Sequence, residues 1–482
     1  MENPQKKTKI LLVTDSGKIH TGLAENVRLV FKNILEQYPD KYEICQHGWF
    51  NFNGVEEVPW PIHNTNVIQN NGKPDIDPHD RYGQRSFEGV LQKFQPDIVW
   101  ASGDLWCFDH ILNSPNRNKF RLIVYYTIDG APYWGGHIEP GVKSEWGEKL
   151  SRADQVAVWS EWGVDVLSKS CPELSSSDIV SIYHPIDTNR FSIMSKEEKM
   201  LFRKKTYAEG IPNDAFILGW SGRNQFRKQN YIMWEVLHYI VYGDYIQCNN
   251  CNKVTVKEYD HSAMKSREIG DLLMYDKDYD YKTCWHCQSK DIINGKPIDD
   301  IFLWLHMNKE DPGYKADLHS KMWKVNDRCI YTNGLTTSKG LPPKVVADLY
   351  ASWDGMLYLS GGEGFGIPAF ETMASGVPII YTNYSSHRDF CKHGGLSVNV
   401  RYIPELTFTI HRSITEINDA IKKVLWAYNN REEFAELGKK GREFALTKDL
   451  NSISKKWINV FDKLMKKQVS VIDTSKVYTQ VI

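Results

Sequence analysis

Residues 360–380 constrain this chain more than any other stretch: Ser-Gly-Gly-Glu-Gly-Phe-Gly-Ile-Pro-Ala-Phe-Glu-Thr-Met-Ala-Ser-Gly-Val-Pro-Ile-Ile. The apolar run Gly355-Met-Leu-Tyr-Leu359 precedes them and reads as the end of a buried strand. Closely spaced glycines follow, so the backbone can turn tightly and approach a ligand. Ile367 to Ser375 then reads as a helix that stops at Gly376-Val-Pro378. A strand, a glycine loop and a helix N-terminus together form an anion site, because free N–H groups and the positive end of the helix dipole face one point. Two carboxylates frame that point, Glu363 in the loop and Glu371 in the helix. Acids beside an anion-binding loop suit hydroxyl groups, such as those of a ribose and a hexose.

A bare glycine-rich turn would fit many α/β domains. The longer pattern, Glu363-Gly-Phe-Gly-Ile-Pro-Ala-Phe-Glu371 followed by Met-Ala-Ser-Gly-Val-Pro, is more specific. It resembles the signature of retaining glycosyltransferases of family 4 (glycosyl transferases group 1). The resemblance implies an α/β protein of the GT-B fold, with two Rossmann-like domains facing a cleft. It also implies that Glu363 touches the transferred sugar, that Glu371 holds the nucleotide ribose, and that Gly364, Phe365, Gly366 and Ile367 line the donor site. Earlier in the chain, Ser221-Gly-Arg-Asn-Gln-Phe-Arg-Lys228 resembles the Gly-Arg…Lys pair of the same family. A nucleoside diphosphate leaves with growing negative charge, and such enzymes neutralise it with cations and backbone N–H groups, without a catalytic divalent metal. Gly222 permits close approach, Arg223 can fork onto phosphate oxygens and Lys228 supplies a point charge. Arg227 is adjacent and competes for that role. Cations at a helix start oppose the dipole, and an unfavourable placement of this kind points to function.

The first half carries fainter signals. His20-Thr-Gly-Leu-Ala24 resembles the glycine loop that faces the donor across the cleft, with Gly22 for close approach and His20 as a phosphate or acceptor contact or a purely structural residue. Asp129-Gly-Ala-Pro-Tyr-Trp134 follows an apolar strand, where ligands bind in open α/β sheets. The family more often has a histidine there. Asp129 is either an acceptor-hydroxyl contact or part of a turn resembling a helix cap. Retention of configuration is inherited from the resemblance alone, as is front-face attack, in which the leaving phosphate takes the acceptor proton.

Cys248-Asn-Asn-Cys251 and Cys284-Trp-His-Cys287 form the second strong signal. Two CxxC knuckles can close one tetrahedral four-cysteine site, and four soft thiolates favour zinc. Such a site has no open position, so the metal is structural. His261 and His286 are possible substitute ligands. The insertion that carries these cysteines, residues 244–298, balances seven Lys/Arg against seven Asp/Glu between Lys253 and Lys290, so it is no basic phosphate-binding face. Its aromatics, Tyr259, Tyr275, Tyr279, Tyr281 and Trp285, either stack on bases or sugars or fill a minidomain too small for a good core.

A chain of 482 residues is too long for one core. The periodicity places strands at 9–14, 97–101, 121–126, 155–159, 216–220, 301–305, 329–331, 356–359 and 377–381, alternating with helices. Residues 50–85 read as a long loop over the sheet edge, 414–447 as an amphipathic helix, and 450–468 as a terminal helix. The resemblance implies a division into an N-terminal acceptor-side domain at 1–188, a nucleotide-sugar-binding domain at 189–449 containing the zinc insertion at 244–298, and a segment 450–482 that crosses back onto the first domain. A net charge of −1 provides no global steering towards nucleic acid or anionic membrane. The N-terminus shows no apolar signal region, and no apolar run approaches the ~18 residues that span a bilayer. Nine cysteines, four of them in CxxC pairs, point to a reducing, cytoplasmic setting.

The expected activity is therefore transfer of a sugar from a nucleotide-diphosphate donor, UDP first and GDP second, to a glycan, a lipid-linked sugar or a protein. Glycosylation of hydroxymethylated bases in DNA is an alternative that neutral charge disfavours. A non-catalytic nucleotide-sugar-binding or scaffold protein is another alternative, as is a nucleotide-sugar epimerase on the same fold. A homo-oligomer is possible.

Overall fold

The computed structural model describes residues 6–50, 56–70, 73–132, 144–207, 211–257, 281–335, 340–405 and 410–469. Tyr133, Trp134, Tyr259, His261, Tyr275 and Tyr279, and residues 470–482, lie outside the described residues. Two parallel sheets organise the chain. The first has seven strands in the order Ile62–Asn64, Tyr42–Trp49, Thr8–Asp15, Ile98–Ser102, Arg121–Tyr126, Gln155–Val158 and Ile179–Ser181. The second has six, in the order Cys329–Tyr331, Ile301–His306, Phe216–Ser221, Gly355–Tyr358, Ile379–Thr382 and Gly395–Val398. All pairings within both sheets are parallel. Strands such as Ile98–Ser102 and Phe216–Ser221 are buried along their whole length, as sheets covered by helices on both faces require.

Ligand-facing loops in such sheets leave the carboxyl ends of the strands. Caps fix where the following helices begin. Thr21 Oγ1 accepts from Ala24 N at the start of helix Gly22–Gln37, and Ser160 Oγ accepts from Gly163 N at the start of Glu161–Ser170. Helix Ile367–Ala374 follows Gly366, whose φ of +99° lies in the left-handed region that glycine adopts freely.

The last helix described, Leu450–Lys466, lies against the first sheet. Its Trp457 ring packs on Trp100 and Tyr125 at centroid distances of 5.6 and 4.8 Å, and Phe461 stacks on Phe31 at 6.3 Å. Ser454 Oγ accepts from Asn33 Nδ2 at 2.9 Å, and Asp462 pairs with Lys41 at 2.7 Å. Burying rings of this size contributes several kcal/mol and clasps the two ends of the chain together.

Two expectations need revision. Residues 50–85 do not form one loop: they contain the edge strand Ile62–Asn64 and the hairpin Val67–Asn70/Lys73–Ile76. The span 414–447 holds two helices, Ile417–Asn429 and Arg431–Leu446, with Asn430 between them in a non-helical conformation. Before them, Val400–Glu405 and Ile410–Thr415 form an antiparallel hairpin outside both main sheets. This hairpin reaches the first half of the molecule, where Ala131 and His411 form an isolated antiparallel bridge.

Candidate functional site

The glycine loop between strand Gly355–Tyr358 and helix Ile367–Ala374 packs directly on the opposite half of the molecule. A Cβ added at Gly364 would lie 2.3 Å from Thr127 Cβ, and one at Gly362 would lie 2.2 Å from the Asp129 carbonyl oxygen. Larger residues would push the halves apart. Phe365 is 3% exposed and sits in an aromatic nest, with its ring stacked at 6.0 Å on His184 and tilted at 5.0 Å against Phe390. It is a core residue that anchors the loop, and Ile367, half-buried, begins the helix behind it.

Glu363 is buried between two cations. Its Oε1 accepts from Lys228 Nζ at 2.5 Å and its Oε2 from Arg227 Nη1 at 3.1 Å. Arg227 Nη1 also donates to the Gly362 carbonyl at 2.6 Å. Burial alone would raise the Glu363 carboxyl, but Lys228 and Arg227 hold it well below the usual carboxylate range. Burial likewise pulls the Lys228 ammonium below its ordinary value, with the Glu363 carboxylate opposing that shift. The Glu363 N–H donates to Ser385 Oγ at 2.8 Å, and His387 joins Ser385 at 3.2 Å and Thr382 at 3.0 Å. Ser385 and His387 therefore buttress this loop.

Arg227 and Lys228 lie in a short turn, Phe226–Lys228, after strand Phe216–Ser221. Gly222 and Arg223 open the same loop. The Arg223 side chain is 59% exposed, and its Nε lies 3.3 Å from Asp311 Oδ2. Asp311 belongs to the loop after strand Ile301–His306, which is tied to this turn a second time: Asn224 Nδ2 donates to the Tyr314 carbonyl at 2.7 Å. Two cations of the second half, Arg227 and Lys228, thus pair with Glu363 at the glycine loop, and a third, Arg223, is exposed in the same turn beside Asp311. Sequence spacing left Arg227 competing with Lys228 for one role; both pair with Glu363, whereas Arg223 pairs with Asp311.

Glu371 has the opposite environment. Burial pushes its carboxyl up to about 8, the neighbouring Glu25 carboxylate adds to the rise, and Arg190 opposes it. Glu25 itself is paired with Arg28 at 2.5 Å and with Arg190 at 2.8 Å, and is held down to about 2 by those two cations against the effect of burial. Arg28 Nη1 donates to the carbonyls of Gly17 and Ile19, at 2.8 and 2.7 Å, and so pins the loop that precedes Gly22. A Cβ on Gly22 would lie 2.9 Å from Ile367 Cδ1, so the first glycine loop meets the start of the Glu371 helix. Arg190, in the linker between the sheets, has no local sequence signal; only the tertiary fold places it beside Glu25 and Glu371. His20 is exposed at the rim, with Nδ1 4.0 Å from Glu56.

Asp129 is engaged by the second half. Arg412 Nη1 donates to its carbonyl at 2.7 Å and lies 2.9 Å from its Oδ2. Its backbone touches the glycine loop through Gly362, which puts the Asp129 loop, the Glu363 loop and the Arg227 turn at one junction.

The four knuckle cysteines come together away from this junction. A three-stranded antiparallel sheet, Val254–Val256, Tyr245–Cys248 and Ile292–Asn294, carries them. All four Sγ atoms lie within 4.8 Å of one another, with Cys248–Cys287 at 3.7 Å and Cys251–Cys284 at 3.5 Å. Zinc–sulfur bonds of ~2.3 Å in a tetrahedron require sulfurs ~3.8 Å apart, so the donor set fits zinc in both chemistry and spacing. His286 is exposed and outside the quartet. Among the described residues, no helix is long and apolar enough to cross a membrane.

Residues 328–442 match the family model described as Glycosyl transferases group 1, a span that contains Glu363, Glu371 and the glycine loop. No curated protein matches the chain in sequence. Among solved structures, the chain is similar to the sucrose-phosphate synthase of Thermosynechococcus elongatus, with a TM-score of 0.64 at 13% identity over 95% of this chain and 99% of that one. It is also similar to HepE of Anabaena, solved with UDP and glucose, with a TM-score of 0.56 at 11% identity over 95% and 100% of the two chains. The catalytic domain of starch synthase IV from Arabidopsis thaliana, bound to ADP and acarbose, gives a TM-score of 0.57 at 12% identity over 96% and 100%. At such identities the likeness is one of fold, the two-sheet GT-B architecture. The group 1 glycosyltransferase match over residues 328–442, on that fold, supports glycosyl transfer in general.

Proposed function

We propose that the junction of the two halves binds a nucleoside-diphosphate sugar, UDP-linked first and GDP-linked second, and transfers the sugar with retention to an acceptor hydroxyl. The observation that carries this reading is the Lys228–Glu363–Arg227 cluster on a glycine loop at a helix N-terminus, facing the first half across Thr127 and Asp129. HepE was solved with UDP and the starch synthase domain with ADP. Those ligands support a diphosphate at the same junction here.

In this reading the sugar C1–phosphate oxygen bond breaks as the acceptor oxygen attacks on the same face. The acceptor proton passes to the departing phosphate oxygen, and no side chain serves as nucleophile. Arg223 and Lys228 neutralise the diphosphate. Arg223 is exposed and available for this. Lys228 and Arg227 also keep Glu363 ionised, so that it accepts hydrogen bonds from sugar hydroxyls. Glu371 receives the ribose hydroxyls, with Arg190 beside it. The backbones of Gly22, Gly222, Gly364 and Gly366 approach the donor, Phe365 and Ile367 hold that loop, and His20 and Asp129 face the phosphate and acceptor sides. The chemistry needs no divalent metal. The cysteine quartet holds a structural zinc: four thiolates would fill its coordination and leave no position for substrate. The acceptor is a glycan, a lipid-linked sugar or a protein.

The test is release of nucleoside diphosphate from a panel of UDP-, GDP- and ADP-sugars, comparing wild type with Lys228→Ala and Glu371→Ala. We expect both variants to fold and to lose turnover. Unchanged turnover in both would remove these residues from the site.

A further inference from the structure

A cavity of about 360 Å³ lies beside the proposed reaction centre, with walls from both halves of the molecule. Helix Glu161–Ser170 supplies Trp162 and Lys169 from the first half, and the second half supplies Tyr384, Arg388, Tyr402 and His411. Ala131 and Pro132 form the side nearest Asp129. The Asp129–Pro132 segment is thus a partition, touching the glycine loop through the Asp129 carbonyl on one face and lining the cavity at Ala131 and Pro132.

The rings are preset. The Tyr384 hydroxyl accepts from Ala131 N at 3.0 Å and donates to the His411 carbonyl, so its ring cannot swing away. Trp162 meets it edge-on at 5.6 Å, and Tyr402 lies tilted against it at 5.5 Å. Tyr402 is 60% exposed although it is a large aromatic on a hairpin, where burial would normally stabilise it. The helix is fixed against the second half by Trp162 N donating to Asp389 Oδ2 at 2.6 Å and by Ser160 Oγ donating to Ser386 Oγ at 2.9 Å. The charges are unequal. Lys169 pairs with Asp165 at 2.7 Å, whereas the exposed Arg388 has no ion-pair partner among the described residues.

A cluster of rings, with Tyr384 held through its hydroxyl and Tyr402 exposed, and a rim guanidinium that has no ion-pair partner among the described residues match the chemistry of a saccharide carrying a carboxylate or another anionic group: rings for the apolar face of a pyranose, Arg388 for the charge. The volume falls within the range of small-molecule sites. We propose that this cavity is an acceptor-side subsite that holds an acidic sugar unit of the acceptor glycan, on the far side of the Asp129–Pro132 partition from the transferred sugar. The identification as acceptor rests on the transferase reading; the binding of an acidic saccharide does not. Because its two walls belong to different halves, occupancy also favours the joined arrangement.

The experiment is an array of uronic-acid-containing, sulfated and neutral oligosaccharides probed with the labelled full chain, wild type against Tyr402→Ala and Arg388→Gln. Both substituted side chains are exposed, and UDP binding and thermal stability serve as controls for folding. Acidic glycans should bind in preference to neutral ones, with affinity falling about tenfold or more in each variant. UDP binding should not change. If no acidic glycan binds above its neutral counterpart, or if binding is indifferent to both substitutions, the subsite is overturned. A wild-type chain that binds UDP but shows no such preference loses only this subsite. A chain that binds acidic glycans but no nucleotide keeps the subsite and loses the donor reading.

Discussion

The glycine-loop junction and the cysteine module solve the same problem in opposite ways. At the junction a carboxylate is buried, and the chain itself supplies its counter-charges: Lys228 and Arg227 both reach Glu363. In the module four sulfurs face one another, and the chain supplies only weak contacts to them, such as Cys251 N to Cys248 at 3.5 Å and Asn250 Nδ2 to Cys287 at 3.6 Å. The Glu363 cluster is thus electrostatically complete before any ligand arrives. The module needs something from outside to hold its thiolates together. A self-satisfied site can wait for substrate, whereas a donor set of this kind makes its own folding conditional on a metal.

The largest effect should therefore come from the module. Cys284→Ser, or prolonged chelation, should release one zinc per chain and unfold the small sheet around Tyr245–Val256, since a structural zinc held by four thiolates is worth about 10–16 kcal/mol to such a unit. Hydrogen exchange should rise there and stay unchanged in strand Gly355–Tyr358. Retention of protected amides in the module after metal loss would break the contrast between the two regions.

Next in size is the junction. Lys228→Met leaves a buried carboxylate short of a partner, which should cost about 3–5 kcal/mol of stability, and it should lower turnover about 10²–10³-fold. Adding Glu363→Gln to Lys228→Met should restore most of the stability and none of the turnover. A double variant as unstable as the single one would show that the pair does not provide the compensation inferred here; stability is measured by denaturant unfolding and turnover by diphosphate release.

The last contrast concerns Glu371, a carboxyl that the chain leaves undercompensated. Its value in the folded protein, raised to about 8, exceeds its ordinary value, so the folded state holds a proton that the unfolded state has released. The associated stability is present below the ordinary carboxyl range and is lost as pH rises towards about 8. Glu371→Gln carries no such penalty, so its thermal stability without ligand should exceed that of wild type by a margin that widens from pH 5 to pH 9. A constant margin would mean that Glu371 is already ionised in the fold.

These contrasts were unevenly legible in the sequence. The 360–380 segment was readable because glycine spacing, a flanking apolar strand and a proline-bounded helix all act locally. The CxxC knuckles were readable for the same reason, and the structure brings their sulfurs together across the intervening residues. Strand Tyr42–Trp49 carries no clean pattern, because its buried Gln46 and His47 look like loop residues. The fold satisfies Gln46 through Trp60 Nε1, Gly17 N and the Asp15 carbonyl, contacts that no window of sequence contains. The roles of Arg190 and Arg412 are invisible for the same reason: each acts across the junction, on Glu25 and on Asp129. The division of 414–447 into two helices turns on the single residue Asn430, which breaks the helical conformation without interrupting the amphipathic pattern.

The central claim is that the junction is a nucleoside-diphosphate site. Thermal stability against UDP, GDP, ADP, CDP and TDP, with EDTA present too briefly to strip zinc, tests it most directly. One nucleotide at about 100-fold over its Kd should stabilise the chain selectively by about 2.7 kcal/mol, and Glu371→Ala should abolish that gain. No stabilisation by any of the five would contradict the account.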